Sequence, residues 1–140
     1  MNAAEIVESL FKLGVTVREG FMSARHDDGS VDWEKFLKSE EFKDIEGQAK
    51  DLLHGLNASS ISGAVKTIDD KSSALKKGRK VSALSPDELH QLSSLLDVRS
   101  VLVQQQLKHA AVSAGFFQWL VETALPTLAP IVSTVLKLLL

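Results

Sequence analysis

Cysteine is absent from this chain of 140 residues. Without thiols, the protein has no disulfide framework, no thiol nucleophile and no thiolate metal site. A chain of this length buries roughly 70% of its unfolded surface, so we expect a hydrophobic core large enough to fold without covalent links. The lack of cysteine fits a reducing compartment.

Signals for β-strands are also scarce, because the chain has no Tyr and no stretch that alternates apolar and polar residues. Apolar residues recur instead at helical spacing, as Ile6, Leu10, Leu13 and Val17 do. We predict an all-α fold, a single-domain bundle of five to seven helices over residues 1–140. Residues 1–112 are expected to form amphipathic helices, and residues 113–140 an apolar C-terminal hairpin or tail.

Capping residues predict where the helices begin. Asn2 with Glu5, and Ser85 with Glu88, have the spacing of capping boxes, and Pro86 occupies the first helical position after Ser85. Further starts are predicted at Ser30 or Asp32, at Ser39 and at Asn57.

The helix that begins at Pro86 is expected to bend or end near residues 113–115. An unbroken helix from Pro86 to Leu125 would be about 60 Å long, whereas a compact domain of this size has a radius of gyration of roughly 14 Å. One apolar face of this helix is predicted to carry Leu92, Leu96, Val103, Leu107 and Ala110, with Leu95 and Leu102 beside it.

No motif for catalysis, cofactor binding or metal binding stands out. The four histidines are scattered, with no metal-ligand spacing: His26, His54, His90 and His109. The acidic stretch around Gly29 resembles part of a calcium loop, but it lacks carboxylates at the first and last ligand positions. Glycine-rich phosphate loops are also missing. We therefore predict no cofactor, no metal and no enzymatic activity.

Charge is unevenly distributed along the chain. Residues 1–57 carry seven Lys or Arg and twelve Asp or Glu, whereas residues 58–110 carry eight and five. The basic cluster consists of Lys76, Lys77, Arg79 and Lys80. It could contact an anionic membrane surface. No aromatic residues are interleaved with it, which argues against nucleic acid as a partner.

The last 25 residues, 116–140, are mostly apolar and carry only two charged residues. As one helix they would span about 37 Å, more than the roughly 30 Å hydrocarbon core of a membrane. Glu122 and Lys137 oppose a membrane location. Pro126 and Pro130 are expected to divide the segment into two pieces flanking Pro126, about Phe116–Leu125 and Thr127 or Pro130 to Leu140.

Two functional hypotheses follow. In the first, the C-terminal segment mediates membrane association or insertion, with self-association. In the alternative, the protein is a soluble interaction or scaffold protein whose C-terminal segment is permanent core or a homo-oligomer interface. Either way, the partner is membrane lipid, another protein or a second copy of the chain. The residues proposed for the membrane or the interface are Phe116, Phe117, Trp119, Leu120, Leu125, Leu128, Ile131, Val135 and Leu138.

The N-terminus carries Glu5 and Glu8 before any long apolar run, so no secretory signal peptide is predicted. The expected location is the cytoplasm or a membrane surface, with the protein peripheral or anchored by its tail.

Overall fold

The computed structural model describes residues 1–21, 26–108 and 112–140, without the side chains of 106–108. Within these ranges the protein is all-helical and contains no β-strand, which confirms the predicted bundle of five to seven helices. Seven helices are described: α1 Ala3–Gly20, α2 Trp33–Leu37, α3 Glu40–Gly55, α4 Ala58–Lys76, α5 Pro86–Lys108, α6 Ala114–Leu128 and α7 Val132–Leu139. A 3₁₀ turn, Val81–Ala83, precedes α5.

Both predicted capping boxes form. The Asn2 side chain accepts a hydrogen bond from the Glu5 backbone N–H at 2.9 Å, and the Asn2 N–H donates to the Glu5 carboxylate at 3.3 Å. At the start of α5, the Ser85 N–H donates to Glu88 at 3.0 Å and the Glu88 N–H donates to the Ser85 hydroxyl at 3.2 Å. These bonds satisfy backbone donors that the first turn of a helix leaves unpaired.

Three single caps define the starts of α2, α3 and α4. Asp32, Ser39 and Asn57 each accept a hydrogen bond from the backbone N–H three residues on. Ser30, the alternative to Asp32, instead donates its own N–H to the Asp28 carboxylate at 2.9 Å. Residues 33–37 and 40–55 thus form a short helix followed by a longer one.

Helix α1 lies at the centre of the bundle and contacts α3, α4, α6 and α7. Its buried residues are Ala3, Ala4, Ile6, Val7, Leu10, Leu13, Gly14 and Val17. Gly14 faces Leu125 of α6, and a Cβ atom added at Gly14 would lie 3.2 Å from the Leu125 Cβ. The missing side chain therefore allows α1 and α6 to approach closely.

Helix α6 continues through Pro126, so the predicted break at this proline is wrong, whereas the predicted alternative, a second piece that begins at Pro130, coincides with the observed break. Pro126 lacks an N–H, and its ring crowds the carbonyl of Glu122 four residues earlier. The preceding turn, Leu120–Ala124, is a π-helix, in which the Leu125 N–H bonds to the Leu120 carbonyl five residues back. We attribute this wider turn to Pro126, because the change from α-helical to π-helical hydrogen bonding occurs in the turn that the proline disrupts. The break instead surrounds Pro130, where α6 and α7 meet with a bend of 76°.

Helix α5 differs from its predicted orientation. Leu92, Leu95 and Leu102 are buried as expected, but Leu96 is 50% exposed. The buried side of α5 instead includes Val98. The Leu107 side chain and Ala110, which were predicted to share the buried face, lie outside the described residues.

Candidate functional site

The apolar C-terminal segment lies within the bundle, where α6 contacts α1, α2 and α5, and α7 contacts α1, α4 and α5. Of the nine residues predicted for a membrane or an interface, Leu138 is half-buried against the core. The other eight are buried: Phe116, Phe117, Trp119, Leu120, Leu125, Leu128, Ile131 and Val135.

Aromatic contacts connect α6 to the N-terminal half of the chain. The Phe117 ring lies 5.3 Å from the ring of Phe42 and 6.4 Å from that of Phe36, both in edge-to-face arrangements. The Trp119 indole N–H donates to the Gln104 side-chain oxygen at 3.1 Å, linking α6 to α5. The aromatic residues of the C-terminal segment thus pack in the interior.

Within the described ranges, no single helix is both long and apolar enough to cross a membrane. Helices α6 and α7 meet the length and composition criteria only as a pair, and that pair is bent by 76°. Their two charged residues, Glu122 and Lys137, are both exposed.

A pocket of about 400 Å³ lies beside the π-helical turn, between α6 and the residues around the start of α2. We call it the π-turn pocket. The residues that line it include Phe21, Val31, Trp33, Gln118, Val121 and Glu122. Val121 and Glu122 belong to the π-helical turn itself, a distortion that is frequent at functional sites.

Aromatic rings and one carboxylate give the π-turn pocket its chemistry. The Trp33 ring lies 5.5 Å from that of Phe21 in an edge-to-face contact, and Trp33 is partly exposed. The Gln118 amide donates to the Glu122 carboxylate at 3.2 Å. Glu122 forms no ion pair with any residue in the described ranges.

Few features of the sequence indicate this pocket. From the sequence, Glu122 is expected only to oppose membrane insertion, and no motif includes Trp33. The spacing between Glu122 and Pro126 was the available signal, because a proline disturbs the carbonyl four residues before it. What the spacing could not indicate is that Trp33, about 90 residues away, lines the same pocket.

The acidic loop before α2 forms its own hydrogen bonds. Asp28 accepts bonds from the Ser30 hydroxyl at 2.6 Å and the Ser30 N–H at 2.9 Å, and these bonds lower the pKa of Asp28. Among the described residues, no group of three or more His, Asp or Glu could hold a metal ion. His26, His54 and His90 are exposed, and His109 lies outside the described residues.

Arg79 connects two helix ends. Its guanidinium donates to the backbone carbonyls of Leu75 at 3.1 Å and Lys76 at 3.2 Å, at the C-terminus of α4. It also forms an ion pair with Glu88 at the start of α5. Arg79 is therefore engaged within the molecule, whereas the rest of the predicted basic patch is exposed or partly exposed: Lys76, Lys77 and Lys80.

Bonds from Arg79 and Ser85 lower the pKa of Glu88 to about 2, from its usual 4.5. The Glu88 carboxylate therefore binds a proton less tightly in the folded protein than in the unfolded chain. The stabilisation by Glu88 is fully present above pH 4.5 and is lost as the pH falls towards 2.

We expect Glu88→Gln to reduce the dependence of the free energy of unfolding on pH between about 4.5 and 2. Urea unfolding at a series of pH values measures this slope. Arg79→Met tests whether Arg79 lowers the pKa of Glu88, since removing the cation should reduce the same slope. An unchanged slope in both variants would contradict the assignment.

Three exposed or half-buried apolar residues lie on the side of α5 opposite its buried face. Leu89 is 38% exposed, Leu96 is 50% exposed and Val103 is half-buried. Residues seven apart in a helix are offset by only about 20°, so all three share one side. We call Leu89, Leu96 and Val103 the outer face of α5. Ser93 and Ser100, both exposed, lie beside it.

The π-turn pocket and the outer face of α5 are both suited to binding. No known protein family, curated protein or solved structure compared with the chain matches it.

Proposed function

We propose that this chain is a non-enzymatic helical interaction protein. In this proposal it self-associates through the outer face of α5, and its C-terminal segment is permanent core. The observation that carries the proposal is the contrast between the two apolar surfaces. The C-terminal segment is covered by the other helices, whereas Leu89 and Leu96 are exposed on α5.

Energetics support a permanent core. Burying one large apolar side chain stabilises a fold by about 1.5–3 kcal/mol, and eight residues of the C-terminal segment are buried. The summed free energy from burying these eight side chains is comparable to or larger than the usual net stability of a domain, about 5–15 kcal/mol. Removing α6 and α7 from the bundle should therefore unfold the remaining helices.

The outer face of α5 suits a second copy of the same helix. Apolar residues at intervals of seven are typical of helix–helix seams, and small residues such as Ser93 and Ser100 allow close approach. In an antiparallel pair, Leu96 would meet Leu96 of the other copy, and Leu89 would meet Val103. This arrangement also opposes the two helix dipoles, placing each N-terminus near the partner's C-terminus.

Leu96→Glu tests this interface. We expect the wild-type protein to sediment as a dimer, and Leu96→Glu to sediment as a monomer, because the substitution places two carboxylates at the centre of the seam. Sedimentation equilibrium over a range of protein concentrations measures the mass. Ser62→Glu adds the same charge at an exposed position of α4 and should leave the dimer intact. A wild-type protein that is monomeric at every concentration would contradict the proposal.

Membrane insertion is the second candidate function. It is favoured by the composition of α6 and α7, which together could form a broken span. Insertion would require these helices to leave α1, α4 and α5. Lys76, Lys77 and Lys80 would supply attraction to anionic lipid. A covalent bond between α1 and α6 should abolish insertion, which separates this candidate from the first.

A further inference from the structure

The π-turn pocket combines two kinds of group that attract organic cations. Trp33 and Phe21 supply aromatic rings, and Glu122 supplies a carboxylate without an ion-pair partner among the described residues. A cation over an aromatic face is attracted by the ring quadrupole, most strongly for Trp. None of the described residues that line the pocket is a Lys or an Arg.

We infer that the π-turn pocket binds an alkylated ammonium group. The aromatic and aliphatic walls accommodate the alkyl substituents, with Val31 and Val121 beside the rings. Glu122 balances the positive charge, and Gln118 holds one oxygen of that carboxylate by a hydrogen bond. This assignment goes beyond the proposed self-association and concerns α2 and α6 rather than the outer face of α5.

The charges around the pocket favour the same ligand class. Residues 26–35, the loop before α2 and the first turn of α2, carry four exposed carboxylates and one exposed Lys, Lys35; the carboxylates are Asp27, Asp28, Asp32 and Glu34. Clustered charges of one sign raise the local concentration of oppositely charged ligands. An anionic ligand would meet Glu122 with no Lys or Arg to pair with among the described residues that line the pocket. A neutral apolar ligand would remove water from the carboxylate without compensation.

Trp33 fluorescence provides the binding signal. Choline is titrated at constant ionic strength into the Trp119→Phe variant, so that Trp33 is the single emitter. We expect saturable quenching or a spectral shift. The matched control ligand is 3,3-dimethylbutan-1-ol, which has the shape of choline but no charge, and it should bind at least about tenfold more weakly.

Two variants identify the groups responsible. Glu122→Gln keeps the side-chain shape, removes the charge and should weaken choline binding about tenfold. Asp70→Asn removes a carboxylate from an exposed site on α4 and should leave the affinity unchanged. Because Glu122 is exposed, Glu122→Gln should fold normally, which circular dichroism checks. Equal binding of choline and its neutral analogue, or unchanged binding in Glu122→Gln, would overturn the inference. So would the absence of any saturable signal with choline.

The ammonium could belong to a free molecule or to a lipid headgroup, and vesicles distinguish these sources. Vesicles of phosphatidylcholine are compared with vesicles of phosphatidylglycerol alone. Trp33 quenching by free choline, together with binding to phosphatidylcholine vesicles that choline displaces, identifies the headgroup as a source. Quenching by choline without vesicle binding identifies a free ligand. Both results support an ammonium site.

Discussion

Replacing Phe117 with Ala should lower the free energy of unfolding by about 3–5 kcal/mol. Phe117 is completely buried and packs edge to face against Phe36, Phe42 and Phe116. Truncation removes the transfer free energy of the ring and leaves a cavity among three aromatic neighbours. This loss is a large fraction of the usual stability of a domain.

Urea unfolding followed by circular dichroism measures this change. Leu140→Ala is the matched control in the same segment, because Leu140 is 88% exposed and its truncation should change stability by less than about 0.5 kcal/mol. If Phe117→Ala fails to fold, Phe117→Leu should show a smaller loss in the same direction. Equal effects of Phe117→Ala and Leu140→Ala would contradict the packing of α6 described above.

A disulfide between α1 and α6 should stabilise the fold by about 2–4 kcal/mol relative to the reduced form of the same variant. Gly14→Cys with Leu125→Cys provides the two thiols. The distance from a Cβ at Gly14 to the Leu125 Cβ is 3.2 Å, slightly below the usual range of about 3.5–4.5 Å. The link would close a loop of about 110 residues, which constrains the unfolded chain strongly.

Because the native chain has no cysteine, reductant should leave the stability of the wild type unchanged. A difference between the oxidised and reduced double variant therefore reports the introduced disulfide alone. Urea unfolding of the double variant with and without reductant measures the gain. The single variant Gly14→Cys controls for crowding against Leu125. No gain on oxidation, or no formation of the bond, would contradict the close approach of α1 and α6.

Local signals in the sequence predicted most helix starts. Asn2, Ser39, Asn57 and Ser85 all cap helices, because an N-cap depends on a side chain and a backbone N–H only a few residues apart. The helical class followed from apolar periodicity, which likewise depends on near neighbours. Features of this kind need no knowledge of the tertiary arrangement.

Features set by tertiary packing were not predictable in the same way. Helix α5 has apolar residues on two sides, so its sequence could not indicate whether Leu95 or Leu96 would face the core. Pro126 suggested a helix break, but the π-helical turn before it allows α6 to continue. The π-turn pocket combines Trp33 with Glu122, and no local pattern relates residues so far apart in the chain.

Liposome flotation of the Gly14→Cys, Leu125→Cys variant tests most directly whether the C-terminal segment is permanent core. The oxidised and reduced forms are mixed with anionic vesicles at neutral and acidic pH, alongside the wild type. If α6 and α7 remain in the bundle, the oxidised and reduced forms will behave alike at each pH. Flotation of the reduced and wild-type proteins, but not of the oxidised form, would contradict a permanent core and establish that the C-terminal helices leave the bundle to enter the membrane.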